Sequence, residues 1–208
     1  MAEAAKAGVE TIGRSRYCGL RDIYIAKLTQ NTQTAYAADV PVKLARAINA
    51  KISDKWSSEK VYSDDGTEDT ITSYEGTEVE IEVSTLAPQD RALLFGQLYD
   101  KGFLVKSKDD LAPELALGFR TKRRNGKYEF TWLYCGKFGQ GVDDEFETQA
   151  EKVAVKSNTI KGDFYDRQKD GQYQIVVDEG NLLEEHADAK AAIADWFSKV
   201  QEKEQAAG

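Results

Sequence analysis

The fold class is decided by residues 114–138, which read ELALGFRTKRRNGKYEFTWLYCGKF. Two runs rich in apolar residues, Glu114 to Lys122 and Lys127 to Phe138, lie on either side of the pair Asn125-Gly126. An Asn-Gly pair between two such runs is the strongest short-range signal for a β-hairpin. The stretch therefore predicts two antiparallel strands joined by a tight turn. The tip of this hairpin is basic and contains Lys122, Arg123, Arg124 and Lys127.

Further strand signals lie on both sides of this hairpin. Thr77 to Thr85 alternates apolar and acidic residues, which is typical of a half-buried strand. The other predicted strands run from Leu44 to Ser53, Glu59 to Ser63, Glu68 to Tyr74, Gln149 to Lys161 and Gln172 to Asp178. The residues Asp64, Asp65 and Gly66 predict a second hairpin turn. Thr29 to Asp39 follows neither a helical nor a strand period, so we expect a loop or arm there.

Two helices are predicted among these strands. The first begins near Pro88, which suits the first turn of a helix, and the second covers about Asp188 to Glu202. The apolar face of the second helix would consist of Ile193, Trp196, Phe197 and Val200. We therefore expect a mainly β fold, a β-sandwich or partly closed barrel, with a flanking central helix and a C-terminal helix. Residues 1–208 are predicted to form one domain, with flexible or arm-like segments at 1–16 and 203–208.

Composition and charge argue against several classes of protein. The 208 residues include 28 Lys and Arg against 36 Asp and Glu, a formal net charge of −8. This excess of acidic residues argues against a protein that binds nucleic-acid phosphates over a broad surface. There is no apolar run of the ~20 residues that a membrane helix needs. With one histidine, His186, and two isolated cysteines, Cys18 and Cys135, the sequence excludes zinc sites built on several histidines and Cys₄ or Cys₂His₂ clusters. The two cysteines fit a reducing compartment better than a disulfide.

No motif points to catalysis. The sequence lacks a phosphate-binding GxxxxGK[ST], a GxGxxG, a nucleophile elbow and HExxH. The glycine-rich residues 136–141 follow a strand and do not open a helix. The acidic run Asp143 to Glu147 lacks the ligand spacing of a calcium loop. We therefore expect no enzyme activity, no catalytic residue, no cofactor and no metal site.

The order of several segments resembles the major tail proteins, or tail tube proteins, of long non-contractile-tailed bacteriophages. The segments that carry this resemblance are residues 61–66, 77–83, 88–96, 115–122, 125–128, 132–138 and 161–176. The resemblance extends from about Tyr17 to Val200, and its specificity lies in the number, order and spacing of the segments.

This resemblance implies a β-sandwich with a flanking helix, six copies to a ring and rings stacked into a tube. The partners implied are further copies of the chain, a tape-measure protein inside the tube, and tail terminator and distal tail proteins at its ends. Genomic DNA would pass through without specific binding. The protein would be assembled in the bacterial host cytoplasm, would belong to the virion tail and would not contact a membrane.

Within such a tube, ring stacking needs a protruding contact. The best candidate is Asp54 to Tyr74, with Trp56 as an anchor and Asp64, Asp65 and Gly66 at the tip. Core packing accounts for Trp56 equally well, because aromatic residues are enriched in both settings. The second candidate is Tyr36 on the arm from Thr29 to Asp39.

Acidic side chains are the candidates for the wall of the lumen. A basic channel would bind DNA phosphates in many places, whereas an acidic wall repels them. The first candidates are Glu78, Glu80 and Glu82, followed by Asp143, Asp144 and Glu145. A solvated outer face explains the three glutamates equally well. The basic hairpin tip should then face outward or meet an acidic neighbour.

Two other functions fit the same sequence. A β-sandwich that binds sugars or serves in adhesion would place exposed aromatic side chains together on one face and would be a stable monomer. A tube component of a phage-derived bacteriocin or secretion device would share the fold without a DNA cargo.

Overall fold

One large antiparallel β-sheet organises this protein, whose computed structural model describes residues 15–44, 46–63, 66–139, 141 and 157–203, with the backbone alone at 61–63 and 66–69. Its strands are β1 (Tyr17–Asn31), β2 (Tyr36–Ala38), β3 (Val42–Lys43), β4 (Ala47–Ser63), β5 (Gly66–Val83), β8 (Leu115–Arg123), β9 (Tyr128–Phe138), β10 (Asn158–Tyr165) and β11 (Gln174–Asp178). A separate hairpin contains β6 (Leu98–Asp100) and β7 (Phe103–Val105). The helices in the described residues are α1 (Pro88–Phe95), α2 (Ala187–Ala194) and a 3₁₀ turn at Glu179–Asn181.

The strand order shows an open sheet. Neighbouring strands follow the order β2-β1-β8-β9-β10-β5-β4, while β11 pairs with β9 and β3 with β1. Every pairing is antiparallel, and the sheet does not close into a barrel. The mainly β fold with a central and a C-terminal helix is therefore confirmed.

The sheet curves around its main hydrophobic core. Ile25 on β1 and Ile81 on β5 belong to one buried cluster, although three strands separate β1 from β5 in the sheet. A flat sheet could not bring these two side chains together. Leu94 and Phe95 of α1 are buried in the same cluster, so the central helix packs on this core.

A second cluster covers the opposite face of the sheet. Trp132 of β9 is fully buried there together with Trp196, which follows α2. The Trp132 indole nitrogen donates a hydrogen bond to the Trp196 carbonyl oxygen at 3.1 Å. Phe197 stacks on Tyr24 with 4.3 Å between the ring centroids. The C-terminal segment therefore provides the apolar cover for this part of the sheet.

Helix α1 begins and ends as its sequence predicts. Pro88 is in the first turn, and the Asp90 carboxylate accepts a hydrogen bond from the Ala87 amide at 3.2 Å. At the other end Gly96 has a φ of 68°, and its amide donates to the Ala92 carbonyl at 2.9 Å. This left-handed conformation favours glycine and ends the helix.

The second predicted hairpin is longer than its sequence signals indicated. The strand signals on each side of Gly66 merge into β4 and β5, which have 17 and 18 residues. Their backbone pairing extends to Ser63 and Gly66, as the predicted turn requires. Asp64 and Asp65 themselves lie outside the described residues.

Two predictions about individual elements need correction, and a third falls only partly on described residues. The prediction of a loop at Thr29 to Asp39 is wrong, because β1 extends to Asn31 and β2 pairs with it. The two strands are joined by a turn in which the Thr32 hydroxyl accepts a hydrogen bond from the Ala35 amide at 3.1 Å.

Helix α2 ends at Ala194 and does not reach Glu202. Beyond it, the Ser198 hydroxyl and the Gln201 amide both donate to the Asp195 carbonyl, which fixes a turn in place of a longer helix. The predicted strand Gln149 to Lys161 is described only from residue 157, and β10 continues to Tyr165.

Two further expectations concern the flexible segments predicted at 1–16 and 203–208 and the state of the two cysteines. Ser15 accepts hydrogen bonds from Arg123 and Asn125, while the Lys203 carbonyl accepts one from Gln172. Residues 1–14 and 204–208 lie outside the described residues. Both cysteines are free.

The described part of the chain contains no helix with the length and apolar character to cross a membrane.

Candidate functional site

Glu78, Glu80 and Glu82 lie on the solvent side of β5, and lysines surround them. Glu80 is opposite Lys51 of β4 and Lys161 of β10. The Lys161 ammonium is 3.5 Å from the Glu80 carboxylate, and Lys55 forms an ion pair with Glu78. The hydrogen bond from Lys55 holds the pKa of Glu78 below its ordinary value. The acidic side chains therefore form a mixed-charge surface.

We name this surface the polar face; its charged residues are Glu78, Glu80, Glu82, Asp163, Lys51, Lys55 and Lys161. Four carboxylates and three lysines leave it close to charge balance, in contrast to the acidic wall that the glutamates alone suggested. The sequence could not reveal this, because the lysines come from strands whose register was unknown. The assignment of the polar face to a lumen stays a prediction. Asp143, Asp144 and Glu145 lie outside the described residues.

Trp56 is an exposed residue of the long hairpin. Its side chain is 54% exposed and belongs to neither core cluster. Its ring contacts Tyr74 edge-on at 5.4 Å between centroids, and Tyr74 stacks on Tyr173 at 4.1 Å. We name Trp56, Tyr74 and Tyr173 the aromatic cluster. This arrangement favours a surface contact over core packing for Trp56.

Tyr36 is not an arm residue. It is 8% exposed, and its hydroxyl donates a hydrogen bond to the Tyr134 carbonyl at 2.7 Å. The Arg167 guanidinium lies over its ring, 5.0 Å from the centroid. Its side chain is therefore buried in contacts within the chain, which argues against a stacking contact with another ring.

A buried arginine organises the region around Tyr36. Arg167 is fully buried, and its guanidinium forms a two-bond pair with the Asp170 carboxylate, both bonds 2.7 Å long. It also donates to Glu202 at 2.7 Å and lies 4.1 Å from the Tyr134 ring centroid. We name these five residues, Tyr36, Tyr134, Arg167, Asp170 and Glu202, the Arg167 cluster. Through Glu202 it ties the C-terminal segment to the end of β10.

The β6–β7 hairpin presents an apolar outer side that sequence reasoning missed. Leu98, Phe103 and Val105 are 62%, 73% and 52% exposed. Because Leu98 pairs with Val105 and Asp100 with Phe103, all four side chains share one side of the hairpin. The signal in the sequence was two short apolar runs around Lys101-Gly102. The strands are three residues long, which is too short for alternation to stand out.

No family model matches this chain, and no curated protein matches it.

The basic tip of the β8–β9 hairpin meets acidic neighbours of the same chain. Arg123 forms ion pairs with Glu129 and, at 3.0 Å, with Asp178. Lys127 lies 3.0 Å from Glu179. The positive charge of the tip is therefore partly compensated where it arises. Among the described residues, no group of three or more His, Cys, Asp or Glu side chains is placed to hold a metal ion.

The two cysteines should differ sharply in reactivity. Cys18 is exposed, whereas burial, together with the nearby Glu114 carboxylate, raises the pKa of Cys135 to about 12. Because the thiolate is the reactive form, only ~10⁻⁴ of Cys135 is reactive at pH 8. We expect one rapidly labelled thiol per native chain in a time course with a thiol reagent.

The Cys18→Ser variant is the control for this labelling and should show no rapid phase. After denaturation, the variant should react with one equivalent of reagent. Rapid labelling of the folded variant would contradict the buried position of Cys135.

Proposed function

We propose that this chain is a structural tube protein of the tail-tube kind, which assembles into six-membered rings that stack into a conduit for DNA. The observation that carries the proposal is the open edge of the sheet. Strand β4 has 17 residues and, among the described residues, pairs along one side only. A long edge strand is a template for pairing with another chain, unless the assembly covers it.

A closed ring is the simplest assembly that covers such an edge in every copy. If β4 of one copy pairs with a different edge of the next, the contact is head-to-tail and closes by rotation. At the opposite end of the sheet, the short strands β2 and β3 both pair with β1. Two unlike edges suit this kind of association, because a contact between identical surfaces would stop at a dimer.

The β4–β5 hairpin supplies a contact between stacked rings. Its core-facing part ends near Ile52 and Val79, and the side chains of residues 57–60 and 70–73 are exposed. From Trp56 to Ser63 the strand extends by about 25 Å, at roughly 3.3 Å per residue. An arm of this length can reach a neighbouring ring, and the aromatic cluster lies at its base.

The polar face suits the wall of a conduit. Tight binding to duplex DNA depends on lysines and arginines that neutralise phosphates. Here Lys55 and Lys161 each pair with a carboxylate, and Lys51 lies opposite Glu80, so few positive charges are free for phosphates. We therefore infer that DNA passes without specific binding and that the chain acts without catalysis. Further copies, a tape-measure protein, and terminator and distal proteins would be its partners in a virion tail.

The aromatic cluster also favours a second function, that of a sugar-binding or adhesion module. Trp56, Tyr74 and Tyr173 place three aromatic rings together at the surface. Aromatic rings with a polar edge are suited to a surface that is partly apolar and partly wet. This function predicts a monomer that binds glycans.

Electron microscopy of the purified chain tests the proposal. We expect rings or tubes with sixfold symmetry above a critical concentration. A chain that stays monomeric and is retained on a glycan matrix would favour the second function instead.

The Trp56→Ala variant should fold but lose tube growth. Trp56 is half exposed and outside both core clusters, so its removal should cost the isolated chain no more than about 1 kcal/mol. An anchor side chain at a protein interface can cost 2 kcal/mol or more on truncation, roughly thirtyfold in affinity. Negative-stain images and sedimentation should show rings or single subunits in place of long tubes.

Val176→Ala is a matched control, because Val176 is 42% exposed and lies on β11, which pairs with β9 and not with the strands of the long hairpin. It should form tubes like the unchanged chain. Normal tubes from Trp56→Ala would refute the anchor role of Trp56.

A further inference from the structure

An unusual concentration of positive charge lies where β1, β3 and the start of β4 meet. A depression of about 440 Å³ is lined there by Arg21, Lys43, Arg46 and Arg120, which we name the basic corner. The chain as a whole is acidic, with a formal net charge of −8. Four cations around one depression are therefore a local exception.

Two of these four cations already have a carboxylate partner. The Asp22 carboxylate, which also lines the depression, binds Lys43 and accepts a hydrogen bond from Arg120 Nε at 2.7 Å. Arg21 and Arg46 are exposed, and neither forms an ion pair with a described residue. These two arginines are available to an external carboxylate.

Exposed apolar side chains adjoin the basic corner. Val42 is 49% exposed and directly precedes Lys43, while Ile48 is 58% exposed and follows Ala47 at the edge of the depression. Val40, two residues before Val42, is 77% exposed. A surface with an apolar part and two unpaired arginines resembles an interface in composition, since arginine is enriched there.

The same chain carries a surface of opposite character at the start of α2. Leu183, Glu184, Glu185 and Asp188 are all exposed, and we name them the acidic turn. Leu183 is 49% exposed, and neither glutamate forms an ion pair with a described residue. Asp188 contacts Lys203 at 3.7 Å but keeps its own side chain 94% exposed.

We propose that the basic corner of one copy binds the acidic turn of the next copy. The charges are complementary, with Arg21 and Arg46 facing the two glutamates, and Leu183 supplies an apolar contact for Val42 and Ile48. Since the two surfaces differ, the contact is head-to-tail and repeats from copy to copy. This inference rests on the proposed self-assembly and names a second contact in addition to strand pairing.

Charge pairs of this kind orient the partners and speed their encounter. They are also screened by salt, over about 8 Å at physiological ionic strength. We therefore expect assembly to weaken as salt rises from 50 to 500 mM.

Charge reversal and charge exchange test the contact. The double variant Arg21→Glu/Arg46→Glu should raise the critical concentration for assembly at least tenfold, because like charges then oppose each other. The double variant Glu184→Lys/Glu185→Lys should do the same. The fourfold variant that combines both changes should restore assembly to within a few-fold of the unchanged chain. Light scattering and electron microscopy measure assembly, and circular dichroism verifies folding.

The control Lys106→Glu/Lys108→Glu makes the same change in net charge on other exposed lysines and should assemble normally at moderate salt. Tubes that form equally well from either reversed variant, or a fourfold variant that stays impaired while folded, would overturn the proposed contact and leave the tube proposal standing. Open chains or dimers that follow the exchange pattern but never form rings would refute the tube proposal and support the contact. A chain that is monomeric at every concentration contradicts both.

Discussion

Replacing Arg167 with alanine should lower the free energy of unfolding by about 3–5 kcal/mol, among the largest losses expected from one side chain of this protein. The guanidinium is fully buried against two tyrosine rings, so its removal leaves a cavity beside Tyr36 and Tyr134. It also removes charge-assisted bonds to Asp170 and Glu202, each worth roughly 1.5–3 kcal/mol in comparable settings. The two carboxylates are partly exposed and regain water, which keeps the loss within this range.

Two further variants separate these contributions in urea denaturation. Lys127→Ala removes an exposed ion pair with Glu179 and should cost no more than about 1 kcal/mol. Arg167→Lys keeps the charge but not the planar two-bond geometry, so it should lie between these two variants. An Arg167→Ala protein within 1 kcal/mol of the unchanged chain would contradict the central role of the Arg167 cluster.

The pH dependence of stability gives a second measure of the same cluster. The hydrogen bonds from Arg167 lower the pKa of Asp170 below its ordinary value. A carboxyl group whose pKa is lower in the folded state stabilises the fold above its unfolded pKa of about 4 and loses this contribution as pH falls through the folded pKa. In Arg167→Ala the pKa of Asp170 should rise, so stability should fall less steeply with acid than in the unchanged chain.

The Gly96→Ala variant should lose about 2–5 kcal/mol, through two separate effects. Gly96 has a φ of 68°, a conformation that costs other residues about 1–2 kcal/mol. A β-carbon at this position would also lie 2.1 Å from the Leu111 carbonyl oxygen, which is backbone and cannot rotate away. Either α1 or the segment that carries Leu111 must therefore move.

Gly171 provides the matched control for the steric effect. Its φ is 70°, almost the same as that of Gly96, and a β-carbon there meets nothing within 4 Å. Gly171→Ala should therefore cost only the backbone strain of about 1–2 kcal/mol. Equal losses for the two variants in thermal or urea unfolding would show that the contact with Leu111 is relieved at no cost.

The sequence predicted the elements whose signals are local. Asn125-Gly126 and Asp64-Asp65-Gly66 identified two hairpins, the alternation from Thr77 to Thr85 identified the last part of β5, and Pro88 identified the start of α1. Strand β1 was not predicted from the sequence, because bulges shift its register between Arg21 and Tyr24 and again near Leu28. A shifted register breaks the alternation on which a strand is recognised.

Candidate site residues depended on contacts that no single segment contains. The lysines that offset Glu78 and Glu80 come from two other strands, and one of them, Lys161, lies 81 residues after Glu80 in the chain. The Arg167 cluster likewise joins segments from Tyr36 to Glu202. For Trp56 the sequence left a stacking contact and core packing equally open, and the exposure of its side chain depends on the full length of the β4–β5 hairpin, which the sequence signals underestimated.

The pairing of β1 with β8 has a consequence for how the chain is synthesised. Arg21 of β1 pairs with Arg120 of β8, so about a hundred residues must be added after β1 before its main partner strand has been synthesised. At roughly 5–20 residues per second, this delay lasts about 5–20 s on the ribosome. The hairpin of β4 and β5 is local and can form within this time, whereas β1 and β8 pair slowly because their contact is distant in sequence. The nascent chain therefore exposes the unpaired edge strand β4 before its own core is complete. Synthesis is thus the stage at which premature association between neighbouring chains must be avoided.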